Sequence, residues 1–158
     1  RDSELTLAEA ENFIKTYFER FPGINEYLEK TKELARTQGY VETLFGRRRY
    51  FPVFQVPAGR ANRQAVNRAE REAVNHPIQG TAADIVKIAM VRLHKALTGN
   101  YQAKMLLQVH DELVLEVPDA EVTAVREIVV DTMSGAFELA VPLKVEASTG
   151  HNWLELKD

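Results

Sequence analysis

Residues 106–117 read "LLQVHDELVLEV" and set an imidazole and two carboxylates, His110, Asp111 and Glu112, between two apolar runs. The flanking pattern predicts two strands, "KMLLQVH" and "ELVLEV", joined by a tight turn that carries the trio at its tip. A carboxylate on such a turn, between two buried strands, is rigidly placed yet reachable. Divalent-metal phosphoryl chemistry needs that, because Mg²⁺ takes hard oxygen ligands and keeps waters and substrate phosphates in its other positions. Local chemistry leaves a second account open. Aspartate is a favoured turn residue in its own right, and a turn histidine can simply be hydrogen-bonded there. His-Asp-Glu-Leu as a retention signal is excluded, since it acts only at a C-terminus and here is internal.

A second group emerges from spacing. Arg63, Asn67, Arg71, Asn75 and Gln79 recur at intervals of four, which holds them on one slowly winding helix face. Arginine and the two amides donate hydrogen bonds to phosphates and base edges, whereas solvent-facing helices usually use glutamate and lysine. From Arg47 to Arg71 there are seven arginines, no lysine and one acid, Glu70. The formal charge of the chain is -3, so this is a local basic cluster in a mildly acidic protein. It suits a phosphate contact. A plain solvated basic surface is the alternative.

The elements that must position these residues follow from periodicity. Thr6 and Glu9 form a capping box, and Phe13, Ile14, Tyr17, Phe18 and Phe21 recur behind it at helical spacing until Pro22. A second helix runs Ile24, Tyr27, Leu28, Thr31, Leu34 and Ala35 along one side and stops at Gly39. "YVETLF" and "RRRYF" flank Gly46 as a short hairpin, and Pro52, Pro57 and Gly59 then break the chain into a loop. Helical patterning resumes from about Arg60 to Leu97, with Pro77 expected to kink it. Its apolar set is Ala65, Val66, Ala69 and Ala73, then Ile78, Ala82, Ile85, Ala89 and Leu93. After the His110 hairpin, Asp119 is the expected N-cap of a helix with Val122, Val125, Ile128, Val129 and Met133 inward. "PLKVEA" alternates as a last strand. The fold class is therefore α+β: a small antiparallel sheet backed by long helices and preceded by a helical segment.

At 158 residues, 45% hydrophobic and 27% charged, the chain is an ordinary globular sequence long enough to bury a core. It has no apolar run of membrane-spanning length and no charged-then-apolar leader. With no cysteine, disulfides and thiolate metal sites are excluded, and the composition fits a reducing cytosol. The start at Arg1 rather than Met suggests a piece of something longer.

Three stretches in this order, "GYVETLFGRRRYFP", "NHPIQGTAADIVKIAM" and "MLLQVHDELVLEVP", closely resemble the C-terminal part of the bacterial family A DNA polymerases. The resemblance extends from "AENFIKTYFERFPGINEYLEKT" to "HNWLEL", essentially the whole chain. It implies an incomplete polymerase right hand, with residues 1–59 as the rear of the fingers and 60–158 as part of the palm. "VHDE" matches the family's third polymerase motif. Asp111 then corresponds to a catalytic aspartate that holds Mg²⁺ in a two-metal mechanism, Glu112 to a weaker neighbouring acid and metal ligand, and His110 to a histidine near the primer terminus. Arg71, Asn75 and Gln79 correspond to primer-template contacts, joined by Arg63 and Asn67 on the same stripe; Arg47, Arg48 and Arg49 would serve phosphates. Primer-template DNA and deoxynucleoside triphosphates are the implied partners. So is the upstream polymerase segment, because the second metal-binding aspartate and the nucleotide-gripping lysine-tyrosine helix have no match here. The chain alone would be inactive, and the location would be cytoplasmic, at the nucleoid. A non-catalytic DNA-binding module is the alternative, and a naturally split polymerase would account for the missing half.

Overall fold

The computed structural model describes residues 6–57 and 62–157, so the expected loop breaker Gly59 and helix start at Arg60 lie outside the described residues. The chain forms two compact units, Arg1–Gly80 and Thr81–Asp158, and each is taken by itself.

In the first unit, helix α1 spans Leu7–Arg20 and α2 spans Pro22–Gln38. The Thr6 hydroxyl accepts from the Glu9 amide at 3.3 Å while the Glu9 carboxylate accepts from the Thr6 amide at 2.8 Å, so the capping box forms as expected. Pro22 opens α2, where its missing N–H costs nothing. Gly39 ends it at φ 78, a left-handed turn in which a Cβ would also sit 2.8 Å from Gln55 Nε2. Strands β1 (Tyr40–Glu42) and β2 (Arg48–Tyr50) pair antiparallel, with Tyr40 opposite Tyr50. A short 3₁₀ turn, Pro52–Gln55, follows. Ala35, Val41, Phe51, Ala69 and Ala73 form the core. The last two come from α3 (Arg63–Leu97), which continues as one helix through Pro77. The compact unit reaches Gly80 because Ala69 and Ala73 pack with α2 and the hairpin.

The second unit takes the rest of α3, strands β3 (Lys104–Val109) and β4 (Glu112–Glu116), and α4 (Val122–Ser134). Leu93, Leu97, Ala103 and Val125 make one core cluster; Ile85, Ala89 and Ala136 make another. Ile78 and Ala82, expected on the apolar side of α3, are exposed. The predicted N-cap is also displaced. Pro118 leads into a 3₁₀ turn, Asp119–Glu121, and Glu121 is the residue before α4. Its carboxylate does not cap the helix but accepts from the Gln102 and Ala103 amides at 3.0 and 3.2 Å, tying down the start of β3.

"PLKVEA" forms no strand. Leu143, Val145 and Ala147 are half-buried and Pro142, Lys144 and Glu146 exposed, so the alternation is real, but no strand lies alongside among the described residues. Alternation reports a two-faced extended chain; a strand also needs a hydrogen-bonded neighbour. The strands of the β3–β4 hairpin are also less covered than expected. None of their residues is fully buried, and Leu106 and Leu107 are about half exposed, Leu106 lying inside the register shift between Met105 and Leu107.

These burials separate two substitutions in urea unfolding of this chain. Leu93→Ala, at a fully buried position, should cost about 2–5 kcal/mol. Ile78→Ala, exposed on the same helix, should stay within about 0.5 kcal/mol.

Candidate functional site

The β3–β4 pairing places Val109 opposite Glu112, leaving His110 and Asp111 as a two-residue turn. His110 has φ 55, the only positive φ at a non-glycine among the described residues. Two-residue hairpins favour left-handed positions because these match the twist of the flanking strands, and a β-carbon there carries a cost. The Gln108 side chain donates to the His110 carbonyl at 2.9 Å and braces the turn. The sequence offers no distinctive signal for that role, since a glutamine in a strand is an ordinary exposed residue. His110, Asp111 and Glu112 are all exposed, as the tip position requires. They line one end of an open cleft of about 1050 Å³, walled by β4, α4 and the extended stretch through Val145 and Ala147. The cleft lies within the second unit and supplies the reach that sequence spacing predicted.

On the first unit, Arg63, Asn67, Arg71, Asn75 and Gln79 are all exposed, while Ala69 and Ala73 are buried. The helix therefore separates a packing face from a polar one, as the four-residue spacing requires. The three consecutive arginines are more constrained. Arg48 Nε donates to Glu42 at 2.7 Å, and its Cζ lies 4.5 Å from the Tyr40 ring centre. That hydrogen bond, with a smaller contribution from Tyr50, holds the guanidinium pKa above its ordinary value. Arg49 pairs with Glu72 at 2.7 Å, and Arg68 with the same carboxylate at 2.9 Å. Glu72 is held below the usual carboxylate range, chiefly by the Arg68 hydrogen bond. The arginine-rich stretch is thus partly neutralised by an acid one residue beyond its end. Arg47 turns to the helix instead and donates from Nη2 to the Gly80 carbonyl at 3.0 Å.

The described residues thus offer an exposed carboxylate on a braced β-turn and an exposed arginine–amide stripe on a long helix. The sequence profile of DNA polymerase family A matches residues 1–155, and the chain belongs to that family. It is 52% identical over 154 residues to DNA polymerase I of Streptococcus pneumoniae, covering 97% of this chain and 17% of that protein. The thermostable DNA polymerase I of Thermus aquaticus is 50% identical over 150 residues, covering 95% of this chain and 17% of the relative. Among solved structures, the POL domain of Pol1 from M. smegmatis, in complex with DNA primer-template and dNTP, matches with a TM-score of 0.81 and 41% identity. The match covers 89% of this chain and 24% of that one. The chain therefore spans under a fifth of the length of these curated relatives. No described helix is long and apolar enough to cross a membrane.

The left-handed turn yields a stability test. His110→Gly should change the unfolding free energy by less than about 1 kcal/mol, because relief of the positive φ offsets the added freedom of the unfolded chain. His110→Val should cost about 1–2 kcal/mol, as a β-branched residue is poorly tolerated there. Thermal unfolding of the two variants checks it; equal melting points would contradict the turn geometry.

Proposed function

We propose that this chain is the C-terminal segment of a template-dependent DNA polymerase and supplies one metal-binding aspartate together with primer-template contacts. Residues 1–59 would form the rear of the fingers and 60–158 part of the palm. The observation that carries this is Asp111, exposed on a braced turn at the mouth of a cleft, in a chain belonging to family A.

The donor set fits part of a Mg²⁺ site. Asp111 and Glu112 offer hard carboxylate oxygens, but no cluster of three or more histidine or acidic side chains among the described residues could hold an ion alone. Further ligands must come from the upstream segment. Bound Mg²⁺ would supply charge stabilisation at phosphoryl oxygens and a more acidic primer hydroxyl. This chain's residues would do the positioning. Asp111 would present its carboxylate from the turn, with Glu112 beside it as the weaker acid. His110 would orient the primer end from the same turn. Arg71, Asn75 and Gln79, with Arg63 and Asn67 along the stripe, would grip the duplex through contacts common to all correct base pairs. Arg47, Arg48 and Arg49 would meet phosphates, the last two only by exchanging their present carboxylate partners. The incoming deoxynucleoside triphosphate would be bound mainly upstream.

The sheet supports dependence on that upstream segment. β4 pairs only with β3 among the described residues, and its other edge carries no strand there. An unpaired edge is a docking position for another strand. Primer extension by this chain alone should therefore be undetectable and should appear when the upstream part of the polymerase is added. Robust synthesis by the isolated chain would contradict the proposal.

Asp111→Asn tests the site in the complete polymerase. The substitution keeps shape and removes the charge, so single-turnover synthesis should fall by at least about a thousandfold, roughly 4 kcal/mol in the chemical step, with primer-template affinity nearly unchanged. Glu112→Gln should cost far less, and His110→Ala should fall between them. Equal losses for Glu112→Gln and Asp111→Asn would reverse the assignment of the main ligand.

A further inference from the structure

The turn between β1 and β2 meets α3 at Gly80. A β-carbon on Gly80 would lie 2.6 Å from Thr43 Cγ2, 3.1 Å from Arg47 Nη2 and 3.2 Å from His76 Cε1. Gly80 is helical and buried, so no left-handed backbone demands glycine there. A glycine inside a helix costs about 1 kcal/mol relative to alanine. Close approach is what offsets that cost.

Thr43 cannot easily swing its methyl away. It is buried, and its hydroxyl oxygen accepts from the Arg47 amide at 3.2 Å and the Phe45 amide at 3.3 Å. Rotation about χ1 would move the methyl only by giving up those bonds. Arg47 is held on the same helix surface from both ends. Its carbonyl accepts from the Thr43 amide at 3.0 Å and lies 3.4 Å from His76 Nε2, while its guanidinium donates to the Gly80 carbonyl.

We infer that Gly80 is a positioning residue: the space left by its missing side chain seats the Thr43–Arg47 turn on α3 and thereby fixes the Arg47 guanidinium next to the Gln79 end of the polar stripe. The inference rests on the proposal that Arg47 meets a DNA phosphate. An added methyl would push the turn outward and break the Nη2–carbonyl bond, while Arg47 itself remained present.

The test uses the complete polymerase and primer-template affinity measured across a salt series, with melting temperature recorded in parallel. Gly80→Ala should weaken binding about three- to tenfold and flatten the slope of log affinity against log salt by about 0.9, the share of one phosphate contact. Arg47→Ala should flatten it equally. The paired change Thr43→Ser with Gly80→Ala removes the opposing methyl but keeps the hydroxyl, so it should restore both affinity and slope. That rescue also supports the inference if Gly80→Ala alone fails to fold. A merely structural glycine would lower the melting temperature without moving the slope, which would overturn the inference. So would a paired variant that stays defective. A wild-type slope for Arg47→Ala would instead remove the phosphate contact on which the inference stands. An altered slope for Arg47→Ala beside a wild-type slope for Gly80→Ala would remove the positioning role alone.

Discussion

How near another element can come to α3 is set by its smallest side chains, and much else depends on that limit. Ala69 and Ala73 let the helix pack closely with Ala35, Val41 and Phe51 in the first unit, and Ala89, beside Ile85 on the same helix, packs with Ala136 in the second. A small side chain contributes little apolar area itself; its value is the larger neighbour it admits. Because these residues claim one face, the arginines and amides at four-residue spacing are left to solvent without any separate device to turn them outward. Packing and presentation are thus one constraint seen from opposite sides of the helix.

Local rules accounted for what local chemistry decides. The Thr6–Glu9 box, the stop at Gly39 and the turn at His110-Asp111 each depend on a few adjacent residues, so sequence alone was enough. The failures all involve partners remote in the chain. Asp119 has the right side chain for an N-cap, but Pro118 starts a tighter turn and Glu121 is recruited by β3. "PLKVEA" alternates correctly yet lacks a neighbour to bond. Ile78 has the correct spacing for a core residue and remains outside. Spacing identifies which side chains share a face; it does not say whether anything covers that face.

The candidate site divides in the same way. The trio and the polar stripe were legible because their residue types are unusual for where they sit. The resemblance added roles that neither spacing nor geometry carries. Gln108, Glu72 and Thr43 escaped notice because each is an unremarkable polar residue until its partner is known: a carbonyl two residues on, two guanidinium groups, and a turn pressed against a helix. Isolated Gly80 did carry a signal, since a glycine within a helical pattern usually marks a close approach.

The half-exposed β3–β4 hairpin also has a colloidal consequence. Leu106 and Leu107 are adjacent apolar side chains near an open strand edge, the combination from which intermolecular sheets grow. Glu112 and Glu116 sit at the two ends of β4 and are both exposed. Two copies meeting antiparallel along the free edge of β4 would bring these carboxylates of the two copies together, and their repulsion opposes such pairing. Glu112, beside the His110–Asp111 turn, would then also serve as a gatekeeper against aggregation.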